Sequence, residues 1–347
     1  RLAYGQSGGL PTFGNTFESL TPQLIGGSLG AQVGTRAIDP DLKPETSNEL
    51  EFGIDAGFLN NRITLEATYY NKNVNDLILD QQPAESTGIT AIATNAADLV
   101  NKGIEIAVGA TPVYGTNVRW DTKVLWWKNE SEITRLDIPT FTTGGFGPSL
   151  GTYLIANGFA PTTIVGNPPD TNIPGNFSVL GNRQQDFDMS FYNNIALMKN
   201  LEFSFLVHWK QGGDNINLSA LLWDDGGTTP GWIADTDGNG QPDGLDRLLK
   251  WAVDGETSVY IQNSTYWKLR EIGLYYTIPS TTISKTFGNA LSRVKVGVSA
   301  NNILLSTKYG SYDPEVSNFG AQPITSNIEV TPYPSARRYF FHLMIDF

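Results

Sequence analysis

Oxygen-bearing side chains recur at alternate positions in Asp235-Thr236-Asp237-Gly238-Asn239-Gly240-Gln241-Pro242-Asp243-Gly244-Leu245-Asp246. This spacing fits the calcium-loop pattern D-x-[DN]-x-[DN]-G, with Asp235, Asp237 and Asn239 at its first three ligand positions and Gly240 at its sharp turn. Gln241 offers a carbonyl, and Asp243 acts directly or through water. A hard cation such as Ca²⁺ takes about six to eight oxygens, and alternate side chains aim inward to provide them. Two departures weaken the pattern. Asp246 stands where a bidentate Glu would close the shell, and its reach is shorter. Pro242 and the flanking Pro230-Gly231 argue against flanking helices of EF-hand type. The competing reading is a solvated Asp-Gly turn, and the residues leave both open. A bound Ca²⁺ here would stiffen a surface loop rather than carry a signal.

Other chemistry is sparse. The chain has no cysteine, so it offers no disulfide, thiolate metal site or thiol nucleophile. His208 and His342 are the only histidines, and neither belongs to a triad or a spaced metal set. Glu49, Glu51, Asp55 and Glu66 alternate along polar faces, as hydrated wall charge would. The spacing predicts no catalytic residue and no enzyme. Trp223 and Trp232 flank the acidic loop and are candidates for substrate or partner contact, with loop packing as the alternative. With 23 basic and 35 acidic residues the net charge is −12, and no basic run exists to neutralise a phosphate backbone. Nucleic acid is therefore excluded as a partner.

The elements that must position these residues are strands. No stretch of ~18 apolar residues is present, which excludes a membrane helix only. Period-two alternation recurs instead, as in Leu50 to Phe58, Ile63 to Tyr69, Ile104 to Val108, Val118 to Trp126, Phe187 to Leu197, Leu201 to Trp209 and Val294 to Val298. From Trp267 to Ile278 the phase slips, which predicts a β-bulge near Arg270–Glu271. Trp120, Trp126, Trp127, Trp209, Tyr69 and Tyr275 fall inside these strands and are expected as interfacial girdle or packing. Connections alternate short and long. Asn60–Asn61, Tyr114 to Asn117 and Lys199–Asn200 are tight, and Pro279 to Ser292 is medium; 80–98, 137–185, 212–263 and 306–336 are long. No helix of ordinary length is expected, beyond one turn at Arg247 to Val253. The last segment has Tyr339, Phe341, Leu343, Ile345 and Phe347 on one apolar face, the form of strand that barrel assembly machinery reads. The fold expected is all-β: an antiparallel transmembrane barrel segment with short periplasmic turns and long extracellular loops. Nine full strands and the end of another are counted. An open sheet of that size cannot sit in lipid and must close; ten strands could close into a small barrel, but Arg1 opens in the last few residues of a strand, so 1–347 is expected to be one part of a larger barrel.

Several motifs, in order along nearly the whole chain, resemble the C-terminal part of SusC/RagA-like TonB-dependent outer-membrane transporters. They are Asp41-Leu42-Lys43-Pro44-Glu45-Thr46 with Glu49-Leu50-Glu51-Phe52-Gly53, Asn61-Arg62 with Tyr69-Tyr70-Asn71-Lys72, and Asn95 to Asn101 with Gly103-Ile104-Glu105. Tyr266 to Pro279, Ala300 to Leu304, Tyr312-Asp313-Pro314-Glu315-Val316 and Tyr333-Pro334 with Arg337-Arg338 continue the series. The resemblance implies a barrel of about 22 strands, with an N-terminal plug and the first barrel strands lying outside this chain. It also implies a TonB complex that energises import and a SusD-like surface lipoprotein over the mouth. The ligand would be an oligosaccharide or peptide, and the setting the outer membrane of a Gram-negative, Bacteroidetes-like cell. Two rival readings stand beside it. One is a passive pore or adhesin, which shares the barrel but has no plug. The other is a soluble calcium-dependent carbohydrate-binding β-protein or glycosidase, which would scatter its loop lengths.

Overall fold

The computed structural model describes every residue except 13, 18–19, 35, 82–84, 199, 289 and 319–327. Lys199 of the expected Lys199–Asn200 turn thus lies outside the described residues. Ten strands form one antiparallel path in chain order. They are β1 (Leu2–Gly9), β2 (Glu45–Phe58), β3 (Ile63–Gln81), β4 (Ala91–Tyr114), β5 (Val118–Leu136), β6 (Gln185–Leu197), β7 (Leu201–Gly212), β8 (Tyr266–Thr277), β9 (Arg293–Thr307) and β10 (Arg338–Asp346). No helix among the described residues is long and apolar enough to cross a membrane.

Register decides which face meets which solvent. Ala56, Leu65, Val108, Val124, Phe191, Val207, Leu269 and Leu304 stand side by side from β2 to β9. On the opposite face, a neighbouring row runs Asp55, Glu66, Ala107, Leu125, Ser190, His208 and Lys268. A slip of one residue would exchange these rows, so the apolar pattern fixes the pairing. The expected bulge is present. The register shifts between Leu269 and Glu271, leaving Arg270 without a paired residue. The extra residue keeps Leu269 and Ile272 on the apolar face and frees Arg270 to reach across the polar one.

The aromatic residues divide more finely than expected. Trp126, Trp209 and Trp267 sit in one cross-strand row with Met189 on the apolar face. Trp209 stacks on Trp267 at 4.8 Å, and Phe187 meets Trp209 edge-on at 4.9 Å, forming one interfacial cluster. Trp127 and Tyr275 do not belong to it. Trp127 pairs with Glu105 and Asp188, and Tyr275 lies beside Lys295 and His342, so both occupy the polar face by parity.

The short connections match the reading of the sequence. Leu59, Asn60 and Asn61 all take positive φ (53°, 55° and 61°), a conformation that asparagine tolerates better than most residues. The long connections are smaller and more structured than expected. β3 runs to Gln81 and β4 restarts at Ala91, so the 80–98 connection shrinks to 82–90. Asn95 there donates to the carbonyls of Lys43 and Asp76, which extends pairing beyond the apolar stretch. The 137–185 connection holds a four-stranded sheet of Phe141–Thr143, Thr152–Ile155, Thr163–Gly166 and Ser178–Asn182. The 212–263 connection holds α1 (Leu218–Asp225) and α2 (Asp243–Ala252), and the medium turn holds α3 (Ser280–Phe287). The helical turn expected at Arg247 to Val253 belongs to the longer α2, and the expectation of no other helix is corrected by α1 and α3. Each is only two or three turns long, too short for periodicity to reveal. The best-buried apolar cluster, around Tyr153, Ile164, Ile216, Leu221, Tyr260 and Ile328, lies in these connections rather than in the wall.

Candidate functional site

The acidic loop is held between two helices. α1 starts at Asn217, whose side chain accepts from the Ala220 amide at 3.0 Å. It ends at Asp224–Asp225, and a 3₁₀ turn at Pro230–Trp232 leads to the loop. α2 then begins directly after Pro242. The sequence argument that proline excludes a helix here fails for a physical reason. Proline lacks only an N–H that a helix start leaves unbonded anyway, and its carbonyl accepts from the Asp246 amide at 3.0 Å. Asp243 and Asp246 fall in the first turn, where carboxylates suit the positive end of the helix. On the other flank the expectation holds to this extent: the element at Pro230 is a 3₁₀ turn, not an α-helix.

Within the loop, backbone amides converge on Asp235. Its Oδ1 accepts from Gly238 and Asn239 at 2.8 and 3.1 Å, and its Oδ2 from Gly240 at 3.0 Å. Gly238 and Gly240 supply the left-handed turns, with φ of 72° and 87°. Asp243 closes the other side, accepting from the Thr236 amide and hydroxyl at 2.8 and 3.0 Å. Carboxylate oxygens of Asp235, Asp237 and Asp243 come within 4.8 Å of one another. Asn239 donates to Asp246 at 2.6 Å and to Asp237 at 3.2 Å, drawing Asp246 towards the group. The Gln241 amide donates to Asn239 Oδ1 at 2.7 Å. The donors are oxygens and the clustered carboxylates repel one another, so the set suits a hard divalent cation.

Trp223 and Trp232 have different surroundings. Trp232 donates its indole N–H to the Asp224 carbonyl at 2.7 Å and lies against Gly244 of α2, where a Cβ would crowd its ring. It therefore braces the two helices. Trp223 meets Tyr312 edge-on at 5.2 Å, which brings the third and fourth long connections together.

The fixed point below the loop is Asp224, which is fully buried and takes two bonds from Arg247 at 2.7 and 2.8 Å. Thr229 and Tyr260 hydroxyls also donate to it. Burial, together with the adjacent Asp224 charge, pushes the Tyr260 hydroxyl well above the usual phenol range. Sequence alone gave no sign of this centre, because its partners lie 23 and 36 positions away.

At the far end of the chain, Tyr339, Phe341, Leu343 and Ile345 face the same side as Ala300, Val298, Val296 and Val294 of β9. This apolar face continues the wall, and Phe347 follows directly after β10. His208 and His342 both lie on the polar face, His342 within 2.8 Å of the Ser299 hydroxyl.

Known proteins share this architecture. Residues 1–133 match the family model described as "TonB dependent receptor-like, beta-barrel". TonB-dependent receptor P26 of Formosa agariphila is 28% identical, aligned over 100% of this chain and 39% of its own length. TonB-dependent receptor SusC of Bacteroides thetaiotaomicron is 24% identical over 90% of this chain and 33% of its own. The chain is similar, along nearly its whole length, to the barrel wall of SusC-like TonB-dependent receptors. The solved structure of the RagAB peptide transporter superposes with a TM-score of 0.75 at 18% identity, covering 99% of this chain and 40% of that one. The chain therefore spans about two fifths of the length of the relatives it matches. It is an outer-membrane protein, and a barrel wall there turns its apolar face toward lipid and its polar face toward the lumen. Its named relatives are receptors and transporters.

Proposed function

We propose that this chain forms part of the wall and extracellular mouth of an active importer. The full protein would take up oligosaccharides or peptides too large for passive pores, driven by a TonB complex acting on a plug domain. A SusD-like lipoprotein would cap the mouth. The observation that carries this reading is the similarity to SusC-type receptors across the chain, joined to long connections that fold into a packed layer at one end of the wall. A surface made from packed sheets and helices can present fixed contacts to a large ligand and a capping protein, which loose loops cannot. Trp223, half-exposed in that layer, is the side chain best placed to meet either. The Asp235–Asp246 loop would take Ca²⁺ through Asp235, Asp237, Asn239, Gln241, Asp243 and Asp246. The ion would stiffen the layer and take no part in moving ligand. The strand ending in Phe347 would serve as the signal for barrel insertion.

Uptake tests the reading. Cells lacking the full-length gene should lose growth on the cognate oligosaccharide or peptide, and so should cells that keep the gene but lack TonB. Uptake that persists without TonB would leave a passive pore. Affinity purification of the full-length protein from outer membranes should bring down a surface lipoprotein in equal amount, and its absence would remove the capped-importer part of the proposal.

A further inference from the structure

The Asp313-Pro314-Glu315 turn lies in the last long connection, with Asp313 and Pro314 buried and Glu315 reaching the surface. Asp313 is 1% exposed and Lys268, beneath it on β8, 4%. Lys268 Nζ donates to both Asp313 oxygens at 2.7 Å and also reaches Glu315. Glu315 is further held by Arg270 and the Tyr266 hydroxyl. Arg270 is the residue released by the bulge, and it also donates through Nε to His208 Nδ1 at 3.2 Å. That leaves His208 Nε2 facing Asp188. Two lumen-wall cations thus meet two loop carboxylates in matched pairs, and the wall contributes its own second rank of charge behind them. The turn is also held from the sides. Asn215 donates to the Pro314 carbonyl at 2.7 Å, and Ser335, on the return leg of the connection, donates to Asp313 at 2.7 Å.

We infer that the Asp313-Pro314-Glu315 turn is a latch, seated by its two carboxylates on Lys268 and Arg270, that pins the last long connection against the lumen wall. A buried ion cluster of this kind is a poor source of stability. The cost of drying Lys268 and Asp313 largely cancels their attraction, Arg270 and Glu315 keep part of their hydration, and an apolar cluster of equal volume would hold as well. What charge supplies is a seat specific to one position. It holds while all partners are present and releases when one is lost, because a lone buried charge cannot stay. Tyr266 extends the seat, its ring lying 5.1 Å from Lys268 Nζ. The charged groups that face the turn come from three strands: Asp188 of β6, Lys210 and His208 of β7, and Lys268 and Arg270 of β8. The inference rests on the lumen placement of the polar face and not on the imported ligand, so it stands or falls separately from the import reading.

Hydrogen exchange on the full-length protein, purified from outer membranes, reads the latch directly. The Glu315 amide donates to Asp313 Oδ1 at 3.0 Å and the Val316 amide to the Asp313 carbonyl at 3.1 Å, so both report on the seated turn. Lys268→Met and Asp313→Asn should each raise exchange at these two amides by about a hundredfold or more. Exchange in the β2–β6 wall and heat-modifiable migration should stay unchanged. The paired variant Lys268→Met/Asp313→Leu, which removes both charges, should recover much of the protection. Single variants with wild-type exchange at 315–316 would overturn the inference, as would loosening spread evenly through the wall. If the single variants fail to fold, Glu315→Gln decides. It leaves the Lys268–Asp313 pair intact, and the latch requires it to raise exchange at 315–316 alone.

Discussion

Arg247 grips Asp224 with both arms of its guanidinium, at 2.7 and 2.8 Å, across 23 residues that contain the whole acidic loop. The pair fixes α2 on α1, so the loop between them hangs from two anchored ends. Asp224 is fully buried, so loss of Arg247 would strand its charge despite the hydroxyls of Thr229 and Tyr260. Arg247→Met should therefore cost the loop layer about 3 kcal/mol. Exchange should rise throughout 218–260 while the barrel keeps its heat-modifiable migration. An unchanged exchange pattern would show that the hydroxyls alone suffice.

Two tyrosines on the polar face lie flat over glycines directly opposite them. Tyr70 pairs with Gly103 and Tyr275 with Gly297, and a Cβ on either glycine would overlap the ring. The glycine weakens its strand, and the ring that covers it restores the packing. Gly103→Ala and Gly297→Ala should each force the ring to lift, at about 1–3 kcal/mol. The variants should insert more slowly into the membrane and convert at lower temperature in heat-modifiability gels. Tyr70→Ala combined with Gly103→Ala should lose less than the sum, because the clash disappears with the ring.

Legibility in the sequence follows the range of the interaction. Leu50 to Phe58 and Leu201 to Trp209 announce their strands because membrane and lumen impose period two on every residue, and the slip at Arg270–Glu271 announces the bulge for the same reason. Faces were harder than strands. Trp127 and Tyr275 were grouped with the girdle by residue type, although their parity places them in the lumen. The helix at Leu218–Asp225 and the first turn of Asp243–Ala252 escape the sequence, which shows only Arg247 to Val253, because they are held by Asp224 and its distant partners rather than by their own periodicity. Within the acidic loop the positions of Asp235, Asp237 and Asp243 were legible, since a turn of that length leaves them nowhere else to converge. The Lys268–Asp313 contact is not, because 45 residues separate partners that meet only where the last connection folds back onto β8.

Calcium should act on the loop layer and leave the wall alone. Asp235, Asp237 and Asp243 gather their oxygens within 4.8 Å, and their repulsion falls when a divalent cation enters. Calorimetric titration of the chelator-stripped, full-length protein should show one site. The Asp246 carboxylate has a shorter reach than glutamate, so the dissociation constant should fall in the weak range typical of extracellular modules, about 10⁻⁴ to 10⁻³ M. Asp237→Ala should abolish the heat of binding without altering the barrel's migration. A titration with no heat, and no calcium-dependent exchange at 235–246, would return the loop to a solvated Asp-Gly turn.

Acid should release the Glu315 seat within a defined window. Burial alone would raise this carboxyl, but hydrogen bonds from Arg270, Lys268 and Tyr266 together outweigh it and hold the group down at about 2, against an ordinary 4.5. A carboxyl whose folded pKa is depressed stabilises the seat fully above its unfolded value and loses that contribution as pH falls through the folded one. Exchange at 315–316, corrected for its intrinsic pH dependence, should therefore be level from neutral pH down to 4.5 and rise as the pH falls from there toward 2. The low position of the window matters for mechanism. It makes the latch indifferent to ordinary changes of external pH, so release would have to come from a competing charge or from movement of the wall rather than from protonation. Glu315→Gln should remove its share of the step, having no charge left to lose. A wild-type step centred near neutral pH would instead show that release does not run through Glu315.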